Sequence, residues 1–225
     1  MAELSAFSTA SVRANTATAS GVPTRTTAAS VSGICHDGPM PDAVETLDRL
    51  IRTRRTTKLL DPDTPVDPEV VAGLCELATW APNHRRTEPW RFAVFTGDGR
   101  RVLGVTIAEE MVRHDAHEAK VLKTRTKYLR SACVVVIGSI AGPDEVTTAE
   151  NRDAVAAGVS NLLLGATARG LATLWSSVAT PTSPALLDLC GFPEGTFAVG
   201  AVYLSHPAGT EPAGRRSAPL IRWID

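Results

Sequence analysis

A run of nine residues, ACVVVIGSI from Ala132 to Ile140, is apolar at nearly every position and rich in β-branched side chains. A strand with one face in water alternates apolar and polar residues, so an unbroken apolar run indicates a strand that is covered on both faces. Segments with strand character also occur at Arg91–Thr96, Leu171–Val178 and Thr196–Leu204, and helical segments separate them. The sequence therefore predicts an α+β fold in which helices cover a central sheet.

Several helices can be placed by their apolar period and their end signals. From Asp42 to Arg54 the apolar residues recur at helical spacing, which predicts one buried stripe. That stripe consists of Val44, Leu47, Leu50 and Ile51. Asp67 followed by a proline is a typical helix start, and Pro82 ends that helix. A short helix is predicted between Ser183 and Gly191.

Three further regions differ in their predicted exposure to solvent. Thr148–Gly170 carries small and apolar residues around most of its circumference, which is typical of a helix at the centre of a fold or at a subunit interface. Residues 100–130 are polar and predict one or two helices with surfaces that face solvent, including His114, His117, Lys120 and Lys123. The final segment, His206–Asp225, has no core of its own and must rest on something else.

The bulk composition limits the classes of function. The chain has 225 residues, of which 44% are hydrophobic, and this is enough for one sizeable core. The formal net charge is −1, so the overall charge does not favour nucleic acid or an anionic membrane as a partner. No stretch reaches the ~20 mostly apolar residues of a membrane span, and four scattered cysteines suit a reducing compartment. We therefore expect one soluble, cytoplasmic domain over residues 41–225.

Residues 1–40 differ from the rest of the chain. Twenty of these 40 residues are Ser, Thr or Ala, and the apolar residues follow neither a helical nor a strand period. This composition predicts a disordered tail. An organellar transit peptide is a second interpretation, because Ser and Thr are frequent and only two residues are acidic. A translation start at Met40 is a third, since a helix begins immediately after it.

The first of two cationic loops is RRTTK, from Arg54 to Lys58. It follows the first predicted helix and offers two guanidiniums, two hydroxyls and one ammonium within five residues. Guanidinium forks bind phosphate oxygens in pairs, and a lysine on the far side can reach another part of the same ligand. The alternative is a solvated helix end whose cations complement the helix dipole.

The second cationic loop lies between Pro82 and Pro89 in the segment TWAPNHRRTEPWRF. The loop presents hydrogen-bond donors on a short arc, from Asn83, His84, Arg85 and Arg86. Trp80 and Trp90 flank it, and for Trp90 we favour insertion into the core. We expect His84 to be exposed because cations surround it in the sequence.

Two later segments supply further polar groups. LATLWSS, from Leu171 to Ser177, ends a buried strand with an indole and two hydroxyls, which can either donate to a ring carbonyl or satisfy the loop backbone. Arg215 and Arg216 lie in the final segment, where the alternative interpretation is a solvated tail.

Signatures of several other chemistries are missing from the sequence. It contains no GxSxG, no Walker A loop, no HExxH and no GxGxxG after a strand. His114 and His117 have helical spacing but no partner motif, so we predict a solvated helix face and no metal site.

In their order along residues 41–225, these motifs resemble those of the FMN-dependent nitroreductase family, and within it the small single-domain YdjA-like NAD(P)H nitroreductases. The resemblance implies a central, mostly antiparallel sheet layered with helices, and an intertwined homodimer. It implies that Arg54, Arg55 and Thr56 hold the FMN phosphate. The full set of implied flavin-binding residues is Arg54, Arg55, Thr56, Lys58, Trp80, His84, Trp175, Ser176, Ser177, Arg215 and Arg216.

The resemblance also implies finer roles within this set. Lys58 would lie at the pyrimidine edge of the flavin, where a cation stabilises negative charge on the reduced ring. Trp80 and His84 would contact the flavin of the other subunit. A contact with NAD(P)H is implied at Gly165, Ala166, Thr167, Ala168, Arg169 and Gly170.

The implied activity is oxidoreduction, with FMN as cofactor and NAD(P)H as donor. Hydride would pass to the flavin and then to a nitroaromatic, quinone or related small acceptor in a ping-pong cycle, without a catalytic side chain. The alternative is a non-catalytic protein that sequesters or stores FMN. The indole of Trp80 would favour this alternative if it covered the face of the flavin at which a substrate binds. Neither nucleic acid, nor a membrane, nor a metal is implied as a partner.

Overall fold

A computed structural model describes residues 41–224. Within this range the chain forms six α-helices and four β-strands. In chain order they are α1 (Pro41–Thr53), α2 (Pro68–Thr79), β1 (Trp90–Thr96), α3 (Gly99–Arg113), α4 (Glu118–Lys127), β2 (Cys133–Ser139), α5 (Glu145–Ala168), β3 (Ala172–Ser176), α6 (Pro184–Cys190) and β4 (Phe197–Ser205). The expectations for residues 1–40, namely the disordered tail, the transit peptide and the start at Met40, lie outside the described residues.

The four strands form one antiparallel sheet in the order β1-β2-β4-β3. β2 occupies a central position, with Trp90 of β1 opposite Ser139, Thr96 of β1 opposite Cys133, and Leu204 of β4 on the other side of Cys133. All seven residues of β2 are buried. The strand that the sequence predicted to be covered on both faces is therefore confirmed.

The alternation of side chains along β2 separates two cores. Val134 and Val136 face a core that includes residues of α3, α4 and α6. Val135 and Ile137 face a second core, which includes residues of α2 and α5. Burial of one large aliphatic side chain such as Leu162 of α5, which is fully buried, contributes about 1.5–3 kcal/mol. The predicted arrangement of helices around a sheet is thus confirmed.

Capping residues define the ends of α2 and α6 as predicted. The Asp67 carboxylate accepts a 2.8 Å hydrogen bond from the Glu69 N–H, so α2 begins at the following proline. The Ser183 hydroxyl accepts a bond of 3.3 Å from the Leu186 N–H, and Gly191 ends α6 with a φ of 65°. A positive φ favours glycine because it has no Cβ.

Some element boundaries differ from the sequence prediction. α5 begins at Glu145 and not at Thr148, because the Asp144 carboxylate caps it by accepting a 2.6 Å hydrogen bond from the Thr147 N–H. β3 is shorter than Leu171–Val178, since it covers only Ala172–Ser176. The polar region 100–130 forms two helices, of which α4 is capped by the ring of His117, whose Nδ1 accepts from Ala119 N–H at 3.2 Å.

The predicted burial of the α1 stripe is wrong for the described chain. Val44, Leu47 and Ile51 are 54%, 53% and 52% exposed, and Leu50 is half-buried. The helix has the predicted apolar face, but its packing against α5 leaves most of that face open. The C-terminal segment also exposes apolar side chains, namely Leu220, Ile221, Trp223 and Ile224.

The described cysteines are shielded from solvent to different degrees. Burial raises the pKa of Cys75 to about 11 and the pKa of Cys133 and Cys190 to about 12. These thiols are free and protonated at neutral pH, so they are poor nucleophiles. No helix within residues 41–224 combines the length and the apolar character that a membrane crossing requires.

Candidate functional site

A cavity of about 570 Å³ lies between the end of α1 and the C-terminal segment. Four arginines and no acidic residue are among the residues that line this arginine cavity: Ile51, Arg52, Arg54, Arg55, Gly214 and Arg216. The structure therefore brings Arg54 and Arg55 next to Arg216, which lies near the other end of the chain. Guanidiniums that converge without a carboxylate suit a phosphate group.

Arg55 uses most of its donors on the backbone around the arginine cavity. Its Nη1 donates to the carbonyl oxygens of Arg52 and Arg54, at 2.7 and 2.8 Å, and its Nε donates to Pro212 O at 3.3 Å. Arg54 makes one long contact, from Nη1 to the Thr56 hydroxyl at 3.5 Å. Arg216 Nη1 donates to the carbonyl oxygen of the adjacent Arg215 at 2.8 Å. Arg54 and Arg216, which make fewer such bonds than Arg55, are therefore the better placed to bind a ligand, and Arg55 is better placed to hold the walls together.

The chain after the first cationic loop is held between β3 and the C-terminal segment. Thr57 N–H donates to Thr173 O of β3 at 3.0 Å, and the Thr57 hydroxyl donates to the Glu211 carboxylate. Further along, Asp61 N–H donates to His206 O and Ala208 N–H donates to Leu59 O, each at 3.0 Å. The C-terminal segment therefore rests on residues 57–61, as the sequence required.

A second cavity, of about 420 Å³, opens beside β3. Three side chains that the sequence analysis proposed for the flavin line this lysine cavity, namely Lys58, Ser176 and Ser177. Four further cations line it from α4 and the turn after it: Lys120, Lys123, Lys127 and Arg130. The sequence predicted that Lys120 and Lys123 lie on a surface that faces solvent. They are exposed, but they also form one wall of this cavity.

Two stacked tyrosines lie under the lysine cavity. The rings of Tyr128 and Tyr203 are 5.6 Å apart between centroids and nearly parallel. The Lys127 Nζ lies 4.8 Å from the Tyr128 ring centroid, and the Arg130 guanidinium lies 5.8 Å from that of Tyr203. Burial lowers the pKa of Lys127, and the nearby charges of Arg130 and Lys123 lower it further. Cation–π contacts offset part of the free-energy cost of burying these charges.

The end of β3 places Trp175 across the neighbouring strand. The indole is 39% exposed, and its Nε1 lies so close to Gly200 of β4 that a Cβ there would collide with it. The Ser176 hydroxyl donates to Ser177 O at 3.2 Å. Gly200 thus leaves the space that the indole occupies, and the two serines that follow line the lysine cavity.

The second cationic loop has a strained backbone. Arg85, Arg86 and Glu88 have φ values of 62°, 51° and 47°, in a region that residues with a Cβ seldom adopt. The Asn83 side chain accepts from Glu88 N–H at 2.9 Å, and Thr87 donates to the buried Asn151 of α5. Hydrogen bonds across the loop therefore hold a conformation that the local sequence does not favour.

His84 and Trp80 line neither cavity of the described chain. The His84 Nδ1 lies 3.0 Å from Glu150 Oε2 of α5, and the ring is exposed as predicted. Trp80 is 77% exposed after the end of α2. Trp90 is buried as predicted. The proposal that Trp80 and His84 contact flavin thus depends on a second subunit.

The six residues expected to contact NAD(P)H lie at the end of α5 and just after it, and none of them lines either cavity. Gly165 packs against α2, where a Cβ would lie 2.7 Å from Leu77 Cδ1, and its carbonyl accepts a 3.0 Å bond from Arg169 Nη1. Ala166 is fully buried, and Gly170 ends the helix with a φ of 71°. The contacts of these residues in the described chain support helix packing. Their assignment to NAD(P)H stays a prediction.

Thr56 and Arg215 also lie outside the lining of both cavities, although each is next to a residue that lines the arginine cavity. Sequence reasoning missed several residues of the lysine cavity, namely Thr124, Lys127, Arg130 and Tyr203. A signal for them exists, because Lys120, Lys123 and Lys127 recur at helical spacing on one face of α4.

Comparison with known proteins agrees with this architecture. A sequence profile of the nitroreductase family matches residues 51–206. The protein YdjA of Escherichia coli K12 is 24% identical over 165 residues, which make up 73% of this chain and 89% of YdjA.

Solved structures of similar fold include two nitroreductase relatives. A nitroreductase-like family protein from Bacillus cereus has a TM-score of 0.64 at 26% identity, over 77% of this chain and 91% of that protein. The FMN-dependent nitroreductase NfnB from Mycobacterium smegmatis, solved in complex with NADPH, has a TM-score of 0.63 at 17% identity, over 80% and 100% of the two chains. At the latter identity the likeness shows a shared fold.

Proposed function

The chain belongs to the nitroreductase family, and from this premise we propose that it is an FMN-dependent NAD(P)H oxidoreductase. Its acceptors are small nitroaromatics, quinones or related compounds. The observation that carries the proposal is the arginine cavity, in which Arg54, Arg55 and Arg216 converge from distant parts of the sequence. The relatives support the cofactor and the donor, because NfnB is FMN-dependent and was solved with NADPH, and YdjA is named for NAD(P)H nitroreductase activity.

The residues of the arginine cavity fit the phosphate end of FMN. Arg54 and Arg216 donate to the phosphate, while Arg55 positions the C-terminal segment through its bond to Pro212. A hydrogen bond to a charged group contributes about 1.5–3 kcal/mol, so two guanidiniums account for a substantial part of the affinity. Thr56 and Arg215 adjoin this set in the chain but do not line the cavity, so we expect them to contribute less to phosphate binding.

The residues around the lysine cavity fit the ring end of the same cofactor. Lys58 follows Arg54 by four residues, which span at most about 14 Å of extended chain. One ligand can therefore meet Arg54 at one end and Lys58 at the other. Ser176 and Ser177, at and just after the end of β3, also line this cavity, and Trp175 precedes them.

The role of the protein is to bind and tune the cofactor. When bound, FMN would accept a hydride from NAD(P)H and later transfer it to the acceptor, which is the order of a ping-pong reaction. Lys58 places a positive charge where it stabilises negative charge on the ring. None of the residues that line either cavity is a histidine, cysteine or carboxylic acid. The side chains therefore bind and orient, and we assign no catalytic acid or base.

We also propose a homodimer that covers the open apolar surfaces. The α1 face with Val44, Leu47 and Ile51 and the apolar end of the C-terminal segment are exposed in the single chain. Surfaces of this kind mark protein interfaces. A second copy would cover them and would bring Trp80 and His84 to the cofactor of the partner.

The experiment begins with the purified full-length chain and added FMN. We expect FMN to bind with a change in its visible absorbance, to be bleached by NADPH or NADH without oxygen, and to be restored by a quinone such as menadione. Failure to bind FMN would refute the proposal. Binding without reduction by either nucleotide would instead identify a protein that stores FMN.

A further inference from the structure

The lysines of this chain have an uneven distribution. The sequence contains 19 arginines but only four lysines, and every lysine is among the thirteen residues that line the lysine cavity. The cations elsewhere in the chain are all arginines. Lysine differs from arginine because its ammonium is a compact charge with three donors on a flexible stem, so several lysines can converge on one anion from different directions.

The lysines approach the cavity from two opposite walls. Lys120, Lys123 and Lys127 lie on one face of α4, and Lys58 comes from the segment beside β3. Arg130 adds a fifth cation, and no acidic residue is among those that line the cavity. Like charges at this helical spacing destabilise a helix. Burial lowers the pKa of Lys127, and the charges of Arg130 and Lys123 lower it further. A bound anion would remove this cost.

The other parts of the lining define the rest of the ligand. Met111, Leu174, Val178 and Tyr203 provide apolar surface, and Thr124 provides a hydroxyl on the same wall as the lysines. Lys58, Ser176 and Ser177 already serve the flavin in the proposed function. Lys120, Lys123 and Thr124 lie on the opposite, α4 side, where they remain available to a second molecule.

We propose that the α4 wall of the lysine cavity binds the anionic group of the electron acceptor, and that the preferred acceptors are therefore aromatic compounds with two carboxylates or a phosphate. This inference rests on the proposed function, because the acceptor must be reduced by the cofactor. The anionic group itself undergoes no reaction. The acceptor takes up the hydride equivalent that NAD(P)H supplies, together with a proton from solvent. A quinone becomes a hydroquinone in this step, and a nitro group becomes a nitroso group with release of one water molecule.

Two acceptors of matched shape test the inference. 4-Nitrophthalate carries two negative charges, and its dimethyl ester is neutral. Calorimetry with the oxidised, FMN-loaded protein should show that the dianion binds more tightly than the ester. A higher salt concentration should weaken the binding of the dianion but not that of the ester, because salt screens interactions between charges.

The test variant is Lys120→Gln/Lys123→Gln, and two further variants control for charge and geometry. We expect the preference for dianion over ester to fall about tenfold in the test variant. Lys120→Arg/Lys123→Arg should keep most of it. Arg49→Gln/Arg101→Gln removes the same net charge from exposed side chains outside the cavity, and it should keep the preference unchanged.

Rapid mixing separates the possible sources of the anion. The test variant should lose rate in the oxidation of reduced enzyme by 4-nitrophthalate. A loss confined to reduction by NADPH, with NADH unaffected, would assign these lysines to the nucleotide phosphate and overturn the inference. A loss of FMN affinity in the test variant would assign Lys120 and Lys123 to the cofactor and would also overturn the inference. Equal affinity of the wild-type protein for the dianion and the ester would overturn it directly.

These failures are distinct from failure of the proposed function. If the chain does not bind FMN, calorimetry of the same protein with inorganic pyrophosphate still tests the cavity. Binding that the glutamine variant loses and the arginine variant retains would support the anion site alone. Absence of binding would refute both.

Discussion

The Arg55 Nε donates a 3.3 Å hydrogen bond to the carbonyl oxygen of Pro212, and this contact joins the loop after α1 to the C-terminal segment. The same guanidinium donates to the carbonyl oxygens of Arg52 and Arg54. Arg55 therefore ties the two walls of the arginine cavity to each other. The proposed phosphate site depends on this tie between parts of the chain that are distant in sequence.

Gly214→Ala should weaken FMN binding with little effect on stability. A Cβ at this position would lie 2.7 Å from Arg55 Cζ, and the flexible guanidinium can move away at low cost. We expect the FMN dissociation constant to rise about tenfold, which corresponds to about 1.4 kcal/mol. Gly209→Ala in the same C-terminal segment is the matched control, because its Cβ would meet Leu59 Cδ1 at 3.2 Å and none of its nearest atoms belongs to Arg55. Equal affinities of the two variants in a fluorescence titration would contradict this role of Arg55.

Arg216→Ala and Arg215→Ala should differ in their effect on FMN affinity. Arg216 lines the arginine cavity and Arg215 does not. Loss of a charged hydrogen bond costs about 1.5–3 kcal/mol, so Arg216→Ala should weaken FMN binding by about ten- to a hundredfold. Arg215→Ala should change it about twofold, as for an exposed charge. The reverse order in the same titration would place the phosphate elsewhere.

Gly200→Ala should destabilise the fold and displace Trp175. The added Cβ would collide with the indole Nε1 and would lie 2.9 Å from the Ser176 carbonyl oxygen, which belongs to the backbone. Overpacking of this kind costs about 1–3 kcal/mol, measurable by urea unfolding. Gly73→Ala in α2 has open space around its Cβ and should stabilise the protein by about 0.5–1 kcal/mol. An unchanged unfolding midpoint for Gly200→Ala would show that Trp175 is not held by β4.

Leu47→Glu should produce a monomer. Leu47 lies in the exposed apolar face of α1, and a carboxylate buried in an interface without a partner is strongly unfavourable. Sedimentation equilibrium should show a dimer for the wild-type chain and a monomer for this variant. Arg49→Glu places a carboxylate on the exposed polar side of α1. Although it changes the net charge by two units and Leu47→Glu by one, it should leave the dimer intact. Dimers of equal stability for both variants would place the interface on another surface.

Asp144→Ala should reduce thermal stability in a pH-dependent way. The N–H of Thr147 lowers the pKa of Asp144 below its usual 3.8, with a smaller contribution from the Thr147 hydroxyl. Since the pKa is lower in the folded state, the ionised group stabilises α5 above about pH 4, and this stabilisation is lost as the pH falls through the folded pKa. The difference in melting temperature should therefore be full at pH 7 and shrink below pH 4. Asp144→Ser should lose less thermal stability than Asp144→Ala, and its loss should not depend on pH. If the difference in melting temperature between Asp144→Ala and the wild-type protein did not change with pH, the carboxylate would be excluded as the cause.

Local patterns predicted the elements well where neighbouring residues decide the outcome. The β-branched run that became β2, the cap at Asp67 and the short helix between Ser183 and Gly191 all depend on interactions within a few positions. The period of α1 was equally clear, but what covers its apolar face is not a local property. His117, considered as a metal ligand, proved to be a helix cap.

The sequence by itself determined that strands alternate with helices, that one strand is covered on both faces, and that two cationic loops flank them. These features follow from side-chain period and capping, which act over one or two turns. Only the tertiary structure decided that Arg216 joins Arg54 in one cavity while Arg215 does not, and that α4 directs its lysines toward Lys58. Contacts between such distant residues depend on the register of the sheet and on helix packing. These are set by the free energy of the whole folded chain and produce no periodic pattern in the local sequence.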